Sequence, residues 1–463
     1  MMRRPTTTPS DPGSDGGSGR ANSTTPFEAV ALPPRLSERH LLALISAIMA
    51  LTALAIDMML PAFDDIREAF DLRDGSADTG RIVTVFFLGL ALAQVVYGPL
   101  ADRFGRKPTL YLGISIYIAG AIGSALAPTF ELLLVSRFIW GVGAAGSRVV
   151  AIAIVRDRFE GDRMAAAMSQ VMAVFILVPI LAPAIGAGVI AIFPWRGVFW
   201  ACALFAVLIT LWSLRLRETL RPADRRPLSL RTTWQGFGEV VRTPVTAGYT
   251  MSSVFLQGVF TAYLASSEVI IADIFGLGDS FPFVFGAVAI LFGLGAILNG
   301  RVVGRVGIDR VVSAVFTALA PLCVLLVVLA IVGDGQPSFW LFMPVLGLIL
   351  ASFMFLLPNL NSAAMTPMGH IAGTASALTG AVRIALGAVI GTLVSDQVTD
   401  SVTPFAIGVA AFVAGAGLCV LAVRLTQNPL EPAPPAPTTA DALCETPEVG
   451  NLPHHPDSAT PTR

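Results

Sequence analysis

Five charged residues stand inside long apolar runs of this chain: Asp57, Arg137, Arg148, Glu268 and Arg383. Charge in such surroundings is costly, so each such group is a functional hypothesis that calls for a partner, a cavity or a proton path. Asp57 lies in Ala55-Ile-Asp57-Met-Met-Leu-Pro61-Ala62, five residues before the end of its run. At 1.5 Å per residue it sits roughly 7–8 Å below that end. Arg137 stands six residues into a later run that enters from the same side, about 9 Å deep. The depths match. An arginine nearby favours the charged carboxylate and loss of water favours the neutral acid, so a modest rearrangement could tip Asp57 between proton-loaded and empty. Arg148 is seventeen residues into its run and approaches the opposite face, where a long side chain either snorkels to water or faces a cavity. Arg383, near the middle of its run, must face a cavity or pair with an acid. Glu268, near the end of another run, is a possible partner for it, a second protonation site, or an interface residue.

The elements that carry these residues follow from composition. Of 463 residues, 54% are hydrophobic and 13% charged, against about 25% charged in a soluble domain. The mean hydropathy of +0.74 fits a surface that faces lipid. Continuous apolar runs fall near 41–62, 81–100, 108–128, 131–155, 166–192, 198–216, 245–272, 281–303, 309–332, 337–357, 370–394 and 403–425. Their length predicts helices, since barrel strands would give alternating segments of about ten residues. The fold class expected is an all-α membrane protein of twelve transmembrane helices in two pseudo-symmetric six-helix bundles, 41–216 and 245–425, joined by a cytoplasmic linker, 217–244. Residues 1–40 and 426–463, rich in Pro, Thr and Ser, read as disordered tails. The first run is too long for a signal-peptide core and should remain as an anchor.

Lys and Arg set the orientation. With the N-terminus in the cytoplasm, sixteen basic residues fall in inner connections and three in outer ones, Arg67, Arg73 and Arg196. Both termini are then cytoplasmic, and the chain is a multi-pass protein of the inner (plasma) membrane. Trp195 and Trp200 fit an outer aromatic belt.

An internal repeat supports the division into halves. Gly98-Pro-Leu-Ala-Asp102-Arg103-Phe-Gly105-Arg106-Lys107 follows the second run, and Gly300-Arg-Val-Val-Gly304-Arg305-Val-Gly307 follows the eighth. Paired repeats of this kind mark transporters that rock one half against the other around a mid-membrane site. Gly98 and Gly105 allow a sharp turn, while Asp102 can accept bonds from an arginine or a helix N-terminus of the opposite half. Such a contact, with Arg103, Arg106 and Lys107 around it, would latch one conformation. Gly304 replaces the acid in the second copy.

On these stretches, with Arg137-Phe-Ile-Trp-Gly141 and His370-Ile-Ala-Gly-Thr-Ala-Ser-Ala-Leu, the chain resembles the major facilitator superfamily. The D-M-x-L-P pattern around Asp57 is similar to the Bcr/CflA group of drug:proton antiporters. The resemblance implies that Asp57 takes part in proton or cationic-substrate binding and Arg137 in coupling. Pro179-Ile-Leu-Ala-Pro183-Ala-Ile-Gly186-Ala-Gly188 resembles a degenerate antiporter motif of helix 5, where prolines bend the helix and small residues admit a neighbour. Cavity walls would come from helices 1, 4, 7 and 10, with Met58, Tyr263, Phe353 and Asn359 as candidates. The function implied is export of drug-like or amphipathic molecules in exchange for protons by alternating access. A proton-coupled transporter of one metabolite, or a membrane sensor, are the alternatives.

No phosphate loop of the form G-x-x-x-x-G-K-[ST] is present, and the four histidines form no metal or nucleophile set. Cys202, Cys323, Cys419 and Cys444 stand alone. The expectation is a transporter and not an enzyme, without cofactor, metal or nucleic-acid partner. It would act as a monomer on a small molecule and protons within the bilayer.

Overall fold

The structure, a computed structural model, describes residues 37–72, 77–221, 223, 225 and 230–427. The tails expected to be disordered lie almost wholly outside the described residues, as does Cys444. The chain forms fourteen α-helices among the described residues: α1 Glu38–Asp57, α2 Phe63–Ala69, α3 Arg81–Phe104, α4 Arg106–Leu126, α5 Phe130–Arg158, α6 Gly161–Ile190, α7 Gly197–Ser213, α8 Leu230–Arg242, α9 Pro244–Glu268, α10 Phe281–Val306, α11 Ile308–Val332, α12 Phe339–Met365, α13 Ala372–Ser395 and α14 Thr403–Thr426. Twelve of these coincide with the twelve apolar runs. The other two, α2 and α8, are short helices in connections.

Among the described residues, nine stretches are long and apolar enough to cross a membrane; one of them spans both α12 and α13, and α7 and the end of α6 are shorter apolar helices. Large apolar side chains such as Leu204, Val332, Trp340 and Leu425 are exposed on the outside of the bundle, as a lipid-facing surface requires. The chain is a multi-pass membrane protein.

Helices α1 and α3–α7 pack together, as do α9–α14, and the two groups meet chiefly where α3 packs on α13 and α6 on α10. The repeat is visible in the backbone. Gly105 ends α3 with φ 105° and ψ 162°, and Gly307 ends α10 with φ 88° and ψ 155°. These left-handed conformations favour glycine, and each lets the next helix start without an intervening loop. Two helix starts carry side-chain caps: Ser37 accepts from the His40 amide, and Thr129 from the Leu132 amide.

Helix 1 departs from its expected course. It ends at Asp57, and the chain continues through a 3₁₀ turn at Leu60–Ala62, led by Pro61, into α2. Proline lacks a donor N–H and disfavours helix in the residue before it. Helix α9 runs on from Glu268 into a π-helical turn, Val269–Ile274, a local widening found often at functional sites. Trp195 does not join a lipid belt. It is buried, edge-on to Phe70 and Phe199, under the Arg196 guanidinium. Trp200 is exposed.

Candidate functional site

The charged residues fall on three levels between two ends of the bundle, termed the Arg67 face and the Lys107 face. At the Arg67 face, Arg67 of α2 is almost fully buried and crosses between the two helix groups. Its Nη2 donates to Glu268 Oε2 at 2.8 Å, and its Nη1 donates to Asp64 Oδ1 at 2.6 Å and lies 3.5 Å from Asp273 Oδ2. Glu268 therefore pairs with Arg67 and not with Arg383. Its other oxygen, Oε1, is buried without a hydrogen-bond partner. Asp64, Glu268 and Asp273 converge closely enough to hold a cation, and the cation they hold is the guanidinium. Beside this cluster Thr84 of α3 and Thr392 of α13 share a hydrogen bond at 2.5 Å. The Arg67 face is closed.

One level deeper lies Asp57, buried at the C-terminus of α1. No hydrogen bond or ion pair holds it among the described residues. Tyr263 of α9 is within electrostatic reach of it. The Tyr263 hydroxyl is buried without a partner while its ring stacks on Phe285. Arg137 shares this depth, as its spacing implied, yet forms no ion pair with Asp57. Its Nη1 donates to the Ala55 carbonyl at 2.9 Å, and its guanidinium lies 4.7 Å from the ring centres of Phe86 and Trp140. Arg137 Nε and Nη2 have no hydrogen-bond partner. The arginine thus braces the broken end of α1 through backbone and π contacts, aided by Tyr117, whose hydroxyl donates to the Leu51 carbonyl at 2.9 Å.

The helix-5 motif packs against the same break. At Gly186 a side chain would run into the Met58 carbonyl, whereas Gly188 faces open space. Pro183 is buried and Pro179 half-buried. Met58 is itself buried, 3.8 Å from Cys202 Sγ, so it packs in the core and lines no cavity here. Phe353 is fully buried in the core as well. Asn359 donates to Asn299 Oδ1 at 2.9 Å and to the Phe355 carbonyl at 2.7 Å. That amide ties α12 to α10. Of the four cavity candidates, Tyr263 is the one placed beside Asp57.

The middle level holds Arg148 and Arg383. Helix α5 continues to Arg158, so Arg148 stands ten residues, about 15 Å, from its end. It is a mid-depth residue and not one at a membrane face. Arg383 hydrogen-bonds Gln257 of α9.

At the Lys107 face the repeat loop is tied to its own half. Asp102 Oδ1 accepts from Arg106 Nη1 at 2.5 Å, and Arg106 Nε donates to Asp157 Oδ2 at 2.8 Å. Glu218, which sequence reasoning left unremarked in the linker, accepts from the backbone N–H of Arg106 at 2.8 Å and of Lys107 at 3.1 Å. A carboxylate on the first amides of α4 is well placed against the helix dipole. Lys107 Nζ donates to the Leu214 carbonyl at 3.1 Å. Arg103 lies beside the Phe104 ring, 5.5 Å from its centre, and Gly98 has nothing against it. The expected bond from Asp102 to the opposite half is not made in this conformation. Below the Arg67 face, the two halves are also joined by Gln94 Nε2, which donates to the Ala377 carbonyl at 3.2 Å. Asp102 thus bonds within its own half, while the Arg67 face joins the two halves through a buried ion pair.

The Major Facilitator Superfamily profile matches residues 45–392. The chain is 32% identical over 375 residues to "Uncharacterized MFS-type transporter YdgK" of Bacillus subtilis, covering 77% of this chain and 89% of that one. It is 27% identical over 337 residues to "Bicyclomycin resistance protein homolog" of Haemophilus influenzae, covering 72% and 83%. It is 35% identical over 178 residues to "Multidrug resistance protein MdtL" of Escherichia coli, covering 38% and 45%. Among solved structures, a D-xylose-proton symporter has the same fold, with a TM-score of 0.65 at 14% identity over 84% of this chain and 97% of that one. These findings bear out the resemblance read from the Asp57 and Asp102 motifs: the chain belongs to the major facilitator superfamily.

Proposed function

We propose that the chain exports drug-like, amphipathic small molecules across the plasma membrane in exchange for protons, by alternating access, as a monomer. Residues 41–216 and 245–425 are the two rocking halves, and 217–244 the cytoplasmic linker. The Arg67 face is outer and the Lys107 face inner, with both termini in the cytoplasm. In this assignment the conformation described is inward-facing. Names of relatives such as the bicyclomycin resistance homologue and MdtL support drug export.

One observation carries the coupling. Asp57 is buried beneath a closed gate with no cation beside it, and an unneutralised carboxylate in that place is expensive. A proton is the counterion that makes the closed state tolerable. Opening of the Arg67 face hydrates Asp57 and exchanges the proton with the outside; closing carries it inward. Arg137 positions the helix break that bears Asp57. In the outward-facing state Asp102 leaves Arg106 for a group of the opposite half and latches the inner face.

The test is expression in a host stripped of its main efflux pumps, with an antimicrobial panel, alongside Asp57→Asn. Resistance to some compounds is expected from the parent chain and is lost in the variant. Full resistance retained by the Asn variant would show that Asp57 does not couple. Substrate movement in proteoliposomes that ignores an imposed pH gradient would end the proton reading altogether.

A further inference from the structure

We propose that Arg148 and Arg383 form a recognition site for an anionic group of the substrate, a carboxylate or an acidic phosphate or sulfonate, held between the two halves at mid-membrane. The proposal rests on the export reading above and names the substrate class for it. Arg148 belongs to α5 in the first half and Arg383 to α13 in the second. Arg148 is ten residues from Arg158 and Arg383 eleven from Ala372, so the two stand about 15 and about 16 Å above the Lys107-face ends of their helices. Helix α3 packs on both α5 and α13, and the Arg148 charge reaches Arg383 across it. Gln94 of α3 bonds Ala377 of α13, between α5 on one side and α13 on the other, and marks where the helices converge.

Neither arginine is neutralised. Among the described residues, no hydrogen bond or ion pair holds Arg148, and Arg383 has only the neutral Gln257 amide. The carboxylates of α3, α5, α9 and α13 or their flanks lie at helix ends, as Asp102, Glu131, Asp157, Glu268 and Asp396. Asp57 is nineteen residues along α1 from Glu38, about 28 Å from the Lys107-face end of that helix and so about 12 Å beyond the level of the two arginines. A polar crevice opens beside Arg383, lined by Thr250, Ser253, Asn361 and Thr379. The three hydroxyls donate back to carbonyls of their own helices, which leaves Asn361 and the Arg383 guanidinium as donors in the crevice, with Arg148 approaching from the other half.

Two un-neutralised cations at one level of a low-dielectric bundle repel, and an anion bound between them relieves that cost. A guanidinium matches a planar carboxylate or a phosphate through paired N–H donors. A ligand held by one arginine from each half also draws the halves together on the side that is open here. Binding the anionic group thus favours closure of the Lys107 face, the movement that export requires.

The test uses the whole purified protein and three probes that share a dansyl group: dansylglycine, neutral dansylglycinamide and a dansyl quaternary ammonium. Equilibrium binding is read by dansyl fluorescence in detergent, and movement in proteoliposomes under a pH gradient. Dansylglycine is expected to bind at least about tenfold more tightly than the amide, the effect of one charge-assisted pair. Arg148→Gln and Arg383→Gln each remove that preference while amide binding stays within about twofold, and the Lys variants retain part of it. Amide binding serves as the folding control, and the preference of the unaltered protein decides the matter if a variant does not fold. Equal or tighter binding of the amide or the ammonium, or no binding of any probe, overturns the proposal. Carboxylate binding through the arginines without proton-driven movement leaves it standing and defeats the export reading; movement of the ammonium alone does the reverse.

Discussion

Arg67→Gln should open the Arg67 face. The guanidinium is buried and its 2.8 Å bond to Glu268 is buried on both sides, whereas Asp64 and Asp273 are half-exposed and well hydrated. The energy of the cluster therefore resides in the Arg67–Glu268 pair, the exposed contacts being worth little. Removing one partner of a buried pair costs about 3–5 kcal/mol because the other charge stays buried and alone. In an open state Glu268 meets water and that cost vanishes. The whole penalty thus falls on the closed state, and about 3 kcal/mol shifts the closed-to-open ratio roughly 150-fold. Glu268→Gln should do less, because Arg67 keeps Asp64 and Asp273. Loss of one charge-assisted bond, at about 1.5–3 kcal/mol, with those two contacts retained, predicts a shift on the order of tenfold.

Thr84 offers a near-isosteric reporter, since it is buried against Thr392 of the other half. Thr84→Cys, in a background without Cys202, Cys323, Cys419 and Cys444, is labelled with a membrane-impermeant maleimide applied from the Arg67 side. Where the closed state dominates, the labelling rate follows the open fraction. Arg67→Gln should raise that rate by about two orders of magnitude, and Glu268→Gln by about one. Unchanged labelling in Arg67→Gln, or a larger effect from Glu268→Gln, would refute the gate as described.

Asp57→Asn in the same Thr84→Cys background should lower labelling at least about tenfold at neutral pH, because a permanently neutral side chain removes the cost of protonating the hydrated carboxylate before the face closes; equal or faster labelling contradicts it. Gly186→Leu drives a side chain into the Met58 carbonyl and should lower transport at least about tenfold by prying α6 from the α1 break, while Gly188→Leu, facing open space, should transport as the parent does. Asn359→Leu strands the Asn299 amide inside the second half and should cost about 1–3 kcal/mol in detergent unfolding, much of it regained when Asn299→Leu is added. A double variant no more stable than the single one would place the Asn pair outside the packing core.

The twelve helices and the repeat were legible because hydropathy reports burial in lipid directly, and because Gly105 and Gly307 are demanded by backbone angles that other residues resist. The depth of Asp57 and Arg137 was legible from the rise per residue. Their separation was not: helix 1 breaks at Asp57, and Arg137 spends its donor on the Ala55 carbonyl. Spacing along one helix says nothing about which way a side chain turns across to another. Arg67 counted in the sequence as a topology charge because its partner, Glu268, is 201 residues away; its only local sign was the amphipathic stretch Phe63–Ala69. Arg148 was set too close to a face because Arg156-Asp157-Arg158 reads as a loop yet completes the helix.

The broken first helix would join the proposed proton site and the proposed gate in one device. Asp57 and Arg67 are ten residues apart on one segment, and between them lie only the 3₁₀ turn at Leu60–Ala62 and the first turn of α2. Arg137 and Tyr117 clamp the carbonyls of Ala55 and Leu51 just before the break, so α1 is anchored up to Asp57, and the segment beyond it is held by packing against α6. A change in how Asp57 is solvated is therefore passed forward along the chain, toward α2 and the arginine that closes the face. Arg148 and Arg383 sit on other helices, deeper and without such a link. In the proposed cycle, proton and substrate would thereby be met at different depths by different elements, with the rigid halves that carry both coupling one to the other.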